Sequence, residues 1–123
     1  MHNIFVLAAI LILTITNLNA QDRIKFPKGE YSATVEGGIA RGETHYYLVK
    51  GSKDQMMVVT IMSIEDNAVF QIIDKKTGNY LPGAEEMTDI KRWEGYLPSS
   101  GDYKIIVGSV RGGSEYTLKV MID

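Results

Sequence analysis

Along most of this chain apolar residues recur at every second position, and that period of two is the strongest constraint on its fold. Tyr116, Leu118, Val120 and Ile122 alternate with Thr117, Lys119 and Met121, and Tyr103, Ile105 and Val107 alternate with Lys104 and Ile106. Side chains two apart share a face only in extended backbone. In Gln55–Ile64, Met57, Val59 and Ile61 form one row and Met56, Val58, Thr60 and Met62 the other. Both rows are mostly apolar, so this strand is expected to be central or covered on both sides. Further segments of this kind are Ser32–Ile39, Glu43–Lys50, Ala68–Asp74 and Asp89–Tyr96, separated by turns such as Gly51-Ser52-Lys53-Asp54 and Glu65-Asp66-Asn67. Arg23–Lys28 reads as an extended lead-in and Tyr80–Glu86 as irregular. Roughly eight short β segments at intervals near ten residues, with no helical i, i+3, i+4, i+7 stripe after residue 20, predict an all-β chain. The expected architecture is a single antiparallel β-sandwich, jelly-roll-like. Lys75–Asn79 should close a hairpin with Gly78 in the left-handed position. Tyr103–Ser109 and Glu115–Ile122 should pair across the Arg111-Gly112-Gly113 turn.

The first twenty residues differ from the rest. Ile4–Ile15 is an apolar run broken only by Thr14, followed by Thr16-Asn17-Leu18-Asn19 and the small Ala20. This is the layout of a secretory signal peptide cleaved after Ala20, and the run is shorter than the about 20 residues of a comfortable membrane span. The expected division is therefore a signal peptide over 1–20 and one β-sandwich domain over 21–123, periplasmic or secreted, with no stable membrane span. Cysteine is absent, so no disulfide framework exists and packing alone must hold the domain together. Net charge is -2 and the basic residues are scattered, which argues against a nucleic-acid surface.

Catalytic chemistry finds little to use. His45 is the only histidine after residue 20, beside Tyr46 on a predicted strand, and a triad needs a nucleophile and an orienting acid around it. Neither Glu65-Asp66 nor Glu85-Glu86, with Asp89 nearby, follows calcium-loop spacing, and solvated loop charge explains them more simply. No phosphate-loop, dinucleotide or nucleophile-elbow pattern is present. The expectation is a protein that is not an enzyme and needs no cofactor or metal.

Two features point to binding. Leu97-Pro98-Ser99-Ser100-Gly101-Asp102 is a turn that feeds directly into the Tyr103–Val107 strand. Polar loops held by a scaffold commonly form binding surfaces, although most strand connections look similar. Trp93, Tyr96, Tyr80, Tyr46 and Tyr47 could furnish an aromatic platform for a sugar or a protein. Trp93 is out of phase with Ile90 and Tyr96, so either Trp93 or that pair is exposed.

The order FPKGEYSATVEGGI, HYYLVKGSKDQMMVVTI, GYLPSSGDYKIIVGSV and SEYTLKVMI resembles the small secreted bacterial inhibitors of g-type lysozyme. It also resembles the pre-peptidase C-terminal β-sandwich modules to which those inhibitors look related. The sharpest shared element is Ser-Gly followed closely by Tyr, here Ser100-Gly101-Asp102-Tyr103. The resemblance implies a lysozyme partner, with a loop carrying Ser100, Gly101 and Tyr103 presented to its cleft. It also implicates Tyr47 and an arginine before the last strand. This chain departs from the family there, since Val110–Ser114 is short and holds only Arg111. An alternative reading is a non-catalytic module of the cell envelope that binds peptidoglycan or polysaccharide, with Trp93 and Tyr96 as its platform. A third is a structural module of a surface assembly. Ser100, Tyr103, Tyr47 and Arg111 gathered on one exposed edge would fit the inhibitor, and Trp93 flat on an open sheet would fit the glycan module. A Tyr103 hydroxyl spent on its own backbone would make the motif scaffold.

Overall fold

Eight strands form along the alternating segments: β1 (Asp22–Arg23), β2 (Ser32–Ile39), β3 (His45–Gly51), β4 (Met56–Ser63), β5 (Ala68–Asp74), β6 (Arg92–Tyr96), β7 (Gly101–Ser109) and β8 (Ser114–Ile122). The computed structural model describes residues 22–123. The segment read as a signal peptide lies outside the described residues. One sheet has the order β1-β3-β7-β5 and the other β2-β8-β4-β6. From β2 onward each successive strand enters the opposite sheet, which is the jelly-roll arrangement. Beyond the β5 edge, Tyr80 bridges Ile73, and Leu81 N–H donates to Ile72 O at 2.9 Å. The irregular segment thus stands in for one more strand, and Gly78 closes its turn with φ of 79°.

Two expectations about pairing need correction. β7 and β8 do not form a hairpin: β7 lies between β3 and β5, and β8 lies between β2 and β4 in the other sheet. Both edges of each strand are occupied, so Val110–Gly113 crosses from sheet to sheet. The Asn67 side chain fastens that crossing by donating to Arg111 O at 2.9 Å and Gly113 O at 2.8 Å. The sandwich is also not wholly antiparallel, because β1 runs parallel to β3.

The inward rows interdigitate as the alternation requires. Val49, Val59, Ile72, Ile105, Val107, Leu118 and Val120 are fully buried, together with Met57, Phe70 and Tyr103. Each such side chain contributes about 1.5–3 kcal/mol by leaving water. β4 is central, flanked by β8 and β6, but its second row is only half-buried at Met56, Val58 and Thr60 and opens to solvent at Met62, 72% exposed. Leu97, at the end of β6, plugs the core through a notch at Gly51: a Cβ there would collide with Leu97 Cδ1. That plug anchors the connection between β6 and β7 at one rim of the sandwich.

Candidate functional site

The rim connection is Leu97–Ser100, running from β6 into β7. Its inner half is pinned by the strand that follows. Tyr103 is fully buried, and its hydroxyl donates to Ser99 O at 2.6 Å while accepting from Ser99 N–H at 3.1 Å. Ser99 Oγ donates to Asp74 Oδ2 at 2.6 Å, a carboxylate buried at the end of β5 that also accepts Lys76 N–H at 2.9 Å. A buried carboxylate must be hydrogen-bonded to be tolerated, and both partners come from rim loops.

The outer half of the connection is presented. Ser100 is exposed, and its Oγ accepts Lys53 N–H at 2.8 Å, tying the β3–β4 loop to the tip. That loop is held again by Asp54 N–H to Leu97 O at 2.8 Å and Leu97 N–H to Gln55 O at 2.8 Å. Gly101 has φ of 147°, a conformation strained for any side chain, and nothing lies within 4 Å of where a Cβ would stand. The glycine is needed for backbone shape, and the surface above it is open.

Beside the tip, Asp102 takes a two-pronged contact from Arg23, with Nη1 to Oδ1 at 2.9 Å and Nη2 to Oδ2 at 2.8 Å. The hydrogen bonds from Arg23 hold the Asp102 carboxyl below its ordinary range, with Lys75 and Lys50 adding weaker attraction. Arg23 is raised in turn by the same contact. Lys75 N–H donates to Asp102 O at 3.1 Å, and Lys50 pairs with Asp102 in the β3–β7 register.

Several side chains assigned to a partner-facing site are elsewhere. Tyr103 is a brace rather than a contact, because its hydroxyl is enclosed and bonded to the Ser99 backbone; for this residue the scaffold outcome holds, and Ser100 and Gly101 are what the motif leaves open. Tyr47 is also buried, and its hydroxyl meets that of Tyr116 at 2.5 Å between the sheets. His45 Nδ1 lies 3.0 Å from the same Tyr116 oxygen, so His45 serves a packed hydrogen-bonded trio. Arg111 is exposed but follows the far end of β7, about 26 Å from Gly101 at ~3.3 Å per residue over that strand. There its Nη2 donates to Glu65 O at 2.8 Å. The four residues therefore do not share one edge. Trp93 is no platform either: it is 9% exposed and its Nε1 donates to Pro82 O at 2.8 Å. Tyr96, 69% exposed, is the aromatic that faces solvent on this stretch, opposite Met56 in the β4–β6 register. Glu85 and Glu86 are loop acceptors for Gly83 N–H and the Tyr80 hydroxyl.

Asp74, Lys53 and Arg23 are members of this rim that reading the sequence misses, and Ser99, which it places in the loop, proves to be the anchored hydroxyl. Asp74 carried one signal, since it closes a strand in phase with the buried row Ala68, Phe70 and Ile72. The Arg23–Asp102 pair carried none, because 79 residues separate its halves.

These observations define a small jelly-roll β-sandwich whose rim carries a rigid, protruding Ser-Gly tip. No protein-family model and no curated protein matches the chain. Among solved structures it is similar to Aeromonas hydrophila PliG, a periplasmic inhibitor of g-type lysozyme, with 29% identity and a TM-score of 0.69 over 85% of this chain and 96% of that one. Salmonella Typhimurium PliG shares the fold at 19% identity, with a TM-score of 0.67 over 85% of this chain and all of that one. The pre-peptidase C-terminal domain of Bacillus anthracis collagenase does so at 17% identity and 0.60, over 82% of this chain and 94% of that one. The resemblance to both groups read from the sequence is thus matched by a shared fold.

Proposed function

We propose that this protein is a periplasmic inhibitor of lysozyme, g-type first among the candidates, that acts by seating its Ser99–Gly101 tip in the enzyme's sugar cleft. The observation that carries the reading is the tip itself: an exposed Ser100 and an open Gly101 on a loop fixed from beneath by Tyr103 and from the side by Lys53. Lysozyme cleavage uses a protonated carboxyl in a carbohydrate groove. A stiff loop offering a hydroxyl and bare backbone can hydrogen-bond such a carboxyl, with little ordering cost because the loop is already fixed. The likeness to an inhibitor at 29% identity supports the same reading. Nothing in it requires catalysis by this chain. Residues 1–20 would serve as the export signal that delivers the protein to the periplasm. A glycan platform loses its main support with Trp93 inside the core.

The test is inhibition of purified g-, c- and i-type lysozymes on peptidoglycan by micromolar protein. Loss of g-type activity, and its recovery on replacing Ser100 and Gly101 by bulky residues, is the expected result. Full activity of all three enzymes at that concentration would refute the proposal.

A further inference from the structure

The tip is flanked by lysines that make no direct ion pair among the described residues, although Lys50 and Lys75 are close enough to attract the Asp102 carboxylate. Lys50, Lys53 and Lys75 are exposed, and among the described residues none of them takes part in an ion pair. Each is tied to the tip by backbone: Lys53 through its N–H to Ser100 Oγ, Lys75 through its N–H to Asp102 O, and Lys50 by its register opposite Asp102. The nearby carboxylates are already engaged or outnumbered. Asp102 is taken by Arg23 and Asp74 is buried on Ser99, while exposed Asp54 and the C-terminal Asp123, whose carboxyl oxygen accepts Met56 N–H at 3.0 Å, stand against Lys50, Lys53, Lys75 and the adjoining exposed Lys76. The opposite rim carries more acid than base, with Glu36, Glu43, Glu65, Asp66 and Glu115 around the far ends of β2, β3, β4 and β8 against Arg41, Lys91 and Arg111. The chain as a whole is slightly acidic, so this collar is a local segregation of charge and not a reflection of composition.

We infer that Lys50, Lys53 and Lys75 form an electropositive collar that steers the Ser-Gly tip into a protein groove lined by carboxylates. The inference rests on the proposed inhibitory function and adds the chemistry of the partner surface. Exposed charges at the margin of an interface act mainly on encounter, raising association rates by about ten- to a thousand-fold at low salt. They contribute less to the lifetime of the complex, which the tip governs. The uneven charge of the two rims also orients the approach, presenting the tip end first to an acidic cleft.

The experiment measures association of the full protein with the lysozyme it inhibits, by stopped flow. Wild-type association should slow at least about tenfold between about 20 and about 300 mM salt, since screening shortens to a few ångströms over that range. The triple variant Lys50→Gln, Lys53→Gln, Lys75→Gln should associate about tenfold more slowly at low salt, with a dissociation rate within about twofold of wild type. A control that removes the same charge elsewhere, Arg41→Gln, Lys91→Gln, Lys119→Gln, should stay within about twofold of wild type in both rates. Unchanged association of the first variant, or equal slowing of the control, overturns the collar and leaves inhibition by the tip standing. Binding of acidic peptidoglycan fragments that is lost in the first variant, with lysozyme association unchanged, assigns the collar to glycan and also overturns it. A wild-type protein that inhibits no lysozyme overturns both proposals.

Discussion

Replacing Tyr103 by Phe separates a brace from a contact. The substitution keeps the buried ring and deletes the oxygen that bonds Ser99 O at 2.6 Å and Ser99 N–H at 3.1 Å. Each bond is worth about 1 kcal/mol net, and Ser99 is only half-buried, so water recovers part of what a sealed site would forfeit. The expected loss of stability is about 2 kcal/mol. In a domain near one hundred residues each kcal/mol moves Tm by about 4–8 °C, so the midpoint should fall by about 8–16 °C. Urea and thermal unfolding followed by circular dichroism measure both quantities. The freed loop would then need ordering on binding, at about 0.5–1.5 kcal/mol per immobilised side chain, which weakens inhibition by about two- to tenfold. Stability unchanged within about 0.5 kcal/mol, combined with inhibition weakened a hundredfold or more, would falsify the bracing role and return the hydroxyl to the partner interface.

Three other outcomes follow from the same geometry. Gly37→Ala places a Cβ 2.5 Å from Tyr116 Oη and 3.1 Å from Tyr47 Oη, so it should cost about 1–3 kcal/mol in urea melts. Gly38→Ala, whose nearest neighbours stand 3.9 Å away, should be close to neutral. Burial first, and then the Tyr47 hydrogen bond, push the Tyr116 phenol well above its ordinary value of 10. A raised folded value gives stability that is complete below pH 10 and declines as pH rises beyond it, so alkaline melts should lose Tm there, and Tyr116→Phe should flatten the decline. Asp102 is lowered, so its small contribution is present above the ordinary aspartate range and fades as pH falls through the folded value. Arg23→Gln should move the Asp102 carboxyl titration, followed by NMR, upward toward 3.8.

The strands were legible because a period of two survives any tertiary context that buries one face. Tyr103, Ile105 and Val107, and Tyr116 through Ile122, point inward as their spacing requires. The pairing of β7 with β8 was misjudged because a short glycine-rich turn between two alternating segments is the ordinary mark of a hairpin. What defeats it is non-local: each strand already has two neighbours, and Asn67, more than forty residues upstream, holds the crossing. The Trp93 ambiguity was intrinsic to periodicity, which sorts residues into two faces without saying which is inside. Gly95 shows which side won, since a Cβ there would stand 2.8 Å from the Trp93 ring, which occupies the space under it.

The same limit explains why the Ser-Gly-Asp-Tyr stretch was read as one surface. Ser100 ends the loop and Gly101, Asp102 and Tyr103 open β7, and the four divide the work. Tyr103 faces the core, where a tyrosine adds a hydroxyl that can reach back four residues to hold Ser99. Asp102 faces outward and is fixed by Arg23, from the opposite end of the domain's sequence. Gly101 supplies a backbone conformation, and Ser100 carries the most exposed side chain of the four. A rigid tip uses this split: the Tyr103 hydroxyl is enclosed and spent on Ser99, whereas the exposed Ser100 hydroxyl accepts Lys53 N–H and keeps its own proton to donate. Spacing such as Ser-Gly-x-Tyr is therefore better read as the recipe for presenting two residues than as a set of four contacts. On that basis Ser100→Ala should weaken inhibition at a stability cost of at most about 1 kcal/mol, since the Lys53 N–H it releases is exposed to water, and Tyr103→Phe should reduce both together by more.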